Sequence, residues 1–195
     1  MKRLLITGFE PFGGECINPS WEAVKCLPDE INGYLIEKKC IPVVFGEAAN
    51  LVLATADEIL ADVILCIGQA GGRDAITPEL VAINLRYASI PDNNGNQPKD
   101  EVINPNGETA YFSTLPVRIM AEAINNVGVQ AKVSYSAGSY VCNDLLYTLL
   151  DHYKNTSVRV GFIHIPYCKE QNKIPSMDIE MIIKGLITAI EHIDD

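Results

Sequence analysis

Six cysteines and three histidines are the residues here best suited to nucleophilic or proton-transfer chemistry, and their spacing narrows what that chemistry can be. The cysteines stand at 16, 26, 40, 66, 142 and 168 with no C-x-x-C pair, which removes the usual zinc and redox spacings. Cys142 follows the turn Ala137-Gly138-Ser139 and falls in the first turn of a helix expected over 141–152. At a helix start, unpaired N–H groups and the helix dipole favour a thiolate, and such settings lower a thiol pKa from about 8.5 to roughly 3.5–7.5. The same N–H groups suit the oxyanion of a tetrahedral intermediate. The competing reading is an inert cysteine that happens to start a helix. Cys26, in a helix, and Cys40 and Cys66, in strands, read as small buried hydrophobes, whereas Cys16 and Cys168 fall in loops and are expected to be accessible.

A nucleophilic thiol needs a proton acceptor. His192 belongs to a solvated C-terminal helix end, and His152 closes the helix that Cys142 opens, some ten residues or roughly 15 Å away. His164 ends the last strong strand, on the edge where the glycine loops emerge, and it is the histidine the topology can bring to Cys142. A satisfied core histidine is the alternative. The group that orients the imidazole should be a carboxylate or amide at that edge, and Asp74, Glu79, Asp92 and Asp144 all qualify.

The elements that position these residues alternate in kind. Arg3–Thr7, Asp62–Gly68 and Val158–Ile165 are continuous apolar runs, as expected of central strands covered on both faces. A strand near Tyr34–Val44 joins them. Helices are expected from Asn18 as N-cap to about Leu27, over Glu47–Leu60, from Pro116 to about Asn126, over 141–152, and from a Ser176 cap onward with Ile179, Ile183, Leu186 and Ile190 on one face. Val81–Tyr87 alternates with a two-residue period and Ala131–Tyr135 is apolar enough for a strand. Between them Ser89–Thr109 is a long loop rich in Pro, Asn, Gly and Asp, of the kind used as a lid, binding loop or oligomer arm. Apolar strands alternating with amphipathic helices specify an α/β fold: a single-domain three-layer α/β/α sandwich over 1–195, with a mainly parallel twisted central sheet. In such folds ligands bind beyond the carboxyl ends of the strands. That rule selects Phe9–Gly14, Gln69–Glu79, Ser136–Asn143 and His164–Cys168.

Composition excludes several function classes. At 195 residues the chain buries roughly 70% of its unfolded surface, and 48% hydrophobic with 21% charged residues is ordinary for a globular domain. A net charge of −10, dispersed along the sequence, repels phosphate backbones, so neither nucleic acid nor an anionic membrane is an expected partner. The N-terminal residues do not read as a targeting signal and no run approaches the roughly 20 apolar residues of a membrane span, which points to the cytoplasm. Gly8-x-x-x-x-Gly13 has phosphate-loop spacing, but Gly14 and Glu15 replace the Lys and Ser/Thr that hold phosphate and magnesium. A catalytically silent ligand-binding protein and a phosphorylase or nucleosidase on a related scaffold remain alternatives. The latter needs a basic anion site, for which Arg73 and Arg86 are the nearby candidates.

Four ordered motifs then carry a specific likeness: Thr7–Gly14 with Asn18-Pro19-Ser20, Gly68–Arg73 leading to Glu79, Ser134–Asn143, and Gly161–Pro166. Over its whole length the chain resembles the pyroglutamyl peptidase I family of cysteine peptidases. The resemblance implies a Cys-His-Glu triad on Cys142, His164 and Glu79. It implies a substrate site where Phe9, Phe12 and Tyr140 flank a pyroglutamyl ring, Asn18, Gln69 and Ile90 lie along it, and Val141 neighbours the nucleophile. It further implies peptide substrates with N-terminal pyroglutamate, no cofactor or metal, and a homotetramer. Leu80 stands where a basic residue is common in that family, and Tyr140 where phenylalanine is frequent, placing a hydroxyl near the expected substrate site.

Overall fold

The computed structural model describes residues 1–195. In chain order its elements are β1 (Lys2–Phe9), α1 (Pro19–Val24), β2 (Glu30–Ile31), β3 (Tyr34–Ile41), α2 (Glu47–Ile59), β4 (Val63–Gln69), β5 (Thr77–Pro78), β6 (Val81–Ile83), β7 (Ala110–Phe112), α3 (Val117–Asn126), α4 (Val141–Tyr153), β8 (Arg159–Ile165), β9 (Tyr167–Cys168), β10 (Ser176–Met177) and α5 (Ile179–Glu191). The main sheet runs β2-β3-β1-β4-β8-β5. Its four long strands are mutually parallel, and the two short outer strands pair antiparallel.

Side chains alternate across this sheet, which divides the core in two. Leu4, Ile6, Leu65, Ile67, Ile163 and Ile165 pack with α1, α3 and α5 on one face. Leu5, Ile64, Cys66, Val160 and Phe162 pack with α2 and α4 on the other. This is the expected α/β/α arrangement, with the parallel strands continuously apolar because both faces are covered. By the same alternation Gly68 and His164 face the α4 side, two residues beyond Cys66 and Phe162.

Helix α1 is capped as its sequence requires. Asn18 Oδ1 accepts from Ser20 N at 3.1 Å and Pro19 takes the first helical position. The helix lies so close to β1 that a Cβ on Gly8 would meet the Trp21 Cα at 2.6 Å.

Several expected elements differ. The alternating run from Val81 forms a strand only to Ile83, paired with β7 outside the main sheet. Beyond it the backbone is held by a side chain, as Asn143 donates to the carbonyls of Ile83 and Leu85 and accepts from Ile83 N. Residues 131–135 make only single bridges, Ile76 to Ala131 and Glu79 to Ser134, because Pro78 lies in the strand they flank and has no N–H to extend a ladder. Helix α1 ends at Val24, and α5 is preceded by Asp178 rather than Ser176, which lies in β10. Cys26 is exposed because it falls in the turn after α1, and Cys168 is buried because β9 carries it inward.

Candidate active site

Three chain segments converge where β4 and β8 end. Helix α4 begins at Val141, so Cys142 is its second residue, and no side chain caps that end. Helix geometry leaves the Val141 and Cys142 amides without i−4 partners inside the helix. Across the sheet Gly68 and His164 are in-register neighbours on β4 and β8. A Cβ built on Gly68 would stand 3.1 Å from Cys142 Sγ and 2.7 Å from the Phe162 ring. The sulfur therefore sits above a residue that has no side chain, and the in-register neighbour of that residue on the adjoining strand is His164.

Glu79 follows the short outer strand β5, which pairs with β8 so that Thr77 lies opposite His164. Glu79 N donates to Phe162 O at 2.9 Å, and its carboxyl Oε1 lies 2.7 Å from His164 Nδ1. A carboxylate is an acceptor, so Nδ1 carries the proton and Nε2 keeps its lone pair. The His164 ring leans on Phe162 with 4.7 Å between centroids. Glu79 is fully buried and His164 is 4% exposed, so neither ring nor carboxylate is free to turn.

The electrostatics differ from the low-pKa thiol expected of a helix start. Burial pushes the Cys142 thiol up, the Glu79 charge adds to that, and Arg73 opposes it. The sulfur lies among Gly68 and Phe162, where desolvation outweighs the helix end. Burial pulls the His164 imidazole down from 6.5, partly offset by Glu79. Burial alone would raise the Glu79 carboxyl, but the hydrogen bond and charge of His164, with Arg73, hold it below the usual carboxylate range. Both shifts favour the neutral thiol and the neutral imidazole, beside a carboxyl whose charged form is favoured.

Beside Cys142 a small apolar pocket of about 40 Å³ is lined by Phe9, Phe12, Asn18, Val43, Gln69 and Tyr140. Five of the seven substrate-site residues expected from sequence line it. Ile90 does not, because it is 47% exposed on the long loop, and Val141 does not, because its side chain is buried in the core beneath α4. Val43 had no motif to mark it. It follows β3, whose Ile41 pairs with Phe9, so counting strand ends would have brought it to the same edge. Asn18 is committed to structure, donating to Glu10 O at 2.9 Å besides capping α1. Gln69 Oε1 accepts from Gln171 at 2.8 Å. The Tyr140 hydroxyl donates to Pro91 O at 3.0 Å, while the ring packs against Phe45 and Phe12 and lines the pocket.

The other candidates are placed elsewhere. Asp74 pairs with Lys132, Asp92 accepts from the backbone amides of Phe45, Asn94 and Asn96, and Asp144 pairs with Arg86. His152 is exposed, and His192 Nδ1 lies 2.9 Å from Thr188 O at the end of α5. Arg73 and Arg86, the cations a phosphorylase would need, are both occupied by buried carboxylates.

The model of one family, pyroglutamyl peptidase, matches residues 2–195. The chain belongs to the pyroglutamyl peptidase family. It is 50% identical to the pyrrolidone-carboxylate peptidase of Brevibacillus brevis, covering 98% of this chain and 92% of that protein, and 46% identical to that of Bacillus subtilis, covering 100% and 95%. Among solved pyroglutamyl peptidase structures, that from Bacillus amyloliquefaciens matches at a TM-score of 0.94 with 45% identity, over 99% of this chain and 97% of the other. The pyrrolidone carboxyl peptidase of Thermococcus litoralis matches at a TM-score of 0.95 with 36% identity, over 99% and 93%.

Proposed function

We propose that this chain is a cysteine peptidase that removes an N-terminal pyroglutamyl residue from peptides, with Cys142 as nucleophile, His164 as general base and Glu79 as the group that orients it. The observation that carries the reading is the 2.7 Å bond between Glu79 and His164 Nδ1, at the sheet edge where Cys142 Sγ lies over Gly68.

Pyroglutamate is a neutral five-membered lactam without the cationic amine that most aminopeptidases grip. An apolar pocket bounded by Phe9, Phe12 and Tyr140 suits its ring, and the Gln69 amide nitrogen, which has no protein acceptor, suits its carbonyl oxygen. As it stands the pocket is small, about 40 Å³, and the half-buried Phe12 and Tyr140 rings yield as the substrate enters.

In the first step the Sγ–H proton passes to His164 Nε2 while sulfur bonds to the pyroglutamyl carbonyl carbon. The first-turn amides of α4 take the developing oxyanion. The C–N bond then breaks, and the leaving amine takes the proton from Nε2. Water gives a proton to Nε2 as it attacks the thioester, the C–S bond breaks, and the sulfur regains its proton. Burial favours neutral thiol and imidazole, so proton transfer accompanies attack in this reading, and the buried Glu79 carboxylate stabilises the imidazolium that forms.

The reading extends to a single domain over residues 1–195 and to a cytoplasmic homotetramer. Six unpaired cysteines suit a reducing compartment, and no helix is long and apolar enough to cross a membrane. Hydrolysis of a pyroglutamyl reporter amide tests the activity. Wild type should release the reporter and Cys142→Ser should not; release that survives the substitution would remove Cys142 from its role.

A further inference from the structure

The carboxylate that holds His164 is itself held. Arg73 Nη1 donates to Glu79 Oε1 at 2.6 Å, the same oxygen that lies 2.7 Å from His164 Nδ1, while Glu79 Oε2 is buried with no partner. The other contacts of the guanidinium fix its own position: Nη1 also donates to Thr77 Oγ1 at 2.6 Å, Nη2 reaches Ser136 O at 3.4 Å, and Thr77 Oγ1 bonds His164 O at 3.2 Å. Arg73 sits in the glycine loop after β4, so that loop, the outer strand and the segment before α4 are joined at one guanidinium.

Resting on the triad proposed above, we infer that Arg73 is a positioning residue for the reaction: it fixes which carboxylate oxygen meets His164 and offsets the charge of Glu79 at the sulfur. An uncompensated carboxylate would hold the imidazole as imidazolium and oppose the thiolate. Arg73 acts against both, lowering the proton affinity of His164 and of Cys142. The other ionisable groups coupled to Cys142 are the buried Cys66 thiol on β4 and the Tyr140 phenol; Asp74 is paired with Lys132 and Asp144 with Arg86. With Oε2 unpartnered, the Arg73 bond to Oε1 is the side-chain contact other than His164 that distinguishes the two oxygens.

The test is the pH dependence of kcat/KM for a pyroglutamyl reporter amide, with the pH dependence of Cys142 alkylation by iodoacetamide, in wild type, Arg73→Gln and Arg73→Lys. In R73Q the acid limb of both profiles should move to higher pH by about one unit, with KM little changed, and R73K should restore much of the wild-type limb. Thermal unfolding checks that each variant folds. An R73Q limb that stays at the wild-type pH overturns the inference whatever happens to kcat, as does failure of both variants to fold, which would make the role structural. If wild type lacks the activity, or C142S keeps it, the triad itself falls instead.

Discussion

Gly68 and His164 stand side by side on neighbouring parallel strands, and the open space above Gly68 is where Cys142 Sγ rests. A side chain at 68 would fill the place of the sulfur. Gly68→Ala puts a methyl 3.1 Å from Sγ and 2.7 Å from the Phe162 ring, closer than carbon contacts allow. Overpacking of this kind destabilises by about 1–3 kcal/mol and displaces the nucleophile. Reporter turnover should fall by about 100-fold or more, a 1 Å misplacement being enough for that. Undiminished turnover in a folded G68A variant would show that the sulfur does not work from this position.

Glu79→Gln keeps the size of the orienting group and removes its charge. The imidazolium formed during attack then loses its buried counter-charge, and Arg73 loses its partner. We expect kcat to drop about 100-fold or more with KM nearly constant, the pattern of an interaction made mainly in the transition state. A change confined to KM would place Glu79 in substrate binding.

Acid should loosen the fold through the same residues. His164 is held below its ordinary 6.5 when folded, so as pH falls the unfolded chain takes up the proton first. Stability is present above about 6.5 and is lost as pH drops from there toward the lower folded value. Glu79, held below its ordinary 4.5, contributes in the same sense at more acidic pH. The midpoint of thermal unfolding should fall from about pH 7 to pH 5, and less steeply in His164→Gln. Parallel curves for the two proteins would contradict this.

The Tyr140 hydroxyl fastens the long loop by its bond to Pro91 O, and Asp92 holds the same loop through Phe45, Asn94 and Asn96. Tyr140→Phe keeps the ring against Phe12 and Phe45 while releasing the loop from α4. Stability should fall by about 1 kcal/mol, and amide exchange should quicken over 89–101 while α4 stays protected. Unchanged exchange there would mean the hydroxyl contributes no restraint.

Thiol reagents should modify more than one site but inactivate through one. Cys16 and Cys26 are exposed, whereas burial pushes the Cys66 thiol to about 12 and Cys168 to about 11. Mapping by mass during iodoacetamide treatment should show activity falling in step with Cys142 occupancy. A double Cys16→Ser, Cys26→Ser variant should inactivate at the same rate, and protection by that variant would contradict the assignment.

What the sequence made legible follows from how local each signal is. Continuous apolar runs marked β1, β4 and β8, and the filter on strand ends then led to Cys142 and His164 from residue types alone. Glu79 could not be chosen that way, because its selection depends on β5, a two-residue strand that pairs across the sheet with β8 and leaves no periodic pattern. The 81–87 segment misled because its alternation is real, but beyond Ile83 its backbone bonds to Asn143, Thr109, Glu101 and Ser139 rather than to one neighbouring strand. The direction of the thiol shift was also out of reach. A helix start is visible in sequence, whereas desolvation by Phe162, from a strand twenty residues later, exists only once the chain is folded.

The most direct measurement is to mix the enzyme with a pyroglutamyl reporter amide, quench in acid before turnover is complete, and map the protein by mass. A single added pyroglutamyl group should appear on the peptide containing Cys142, and its amount should rise when the thioester is allowed less time to hydrolyse. Release of the reporter with no adduct at any time, or an adduct on another cysteine, would contradict attack by Cys142.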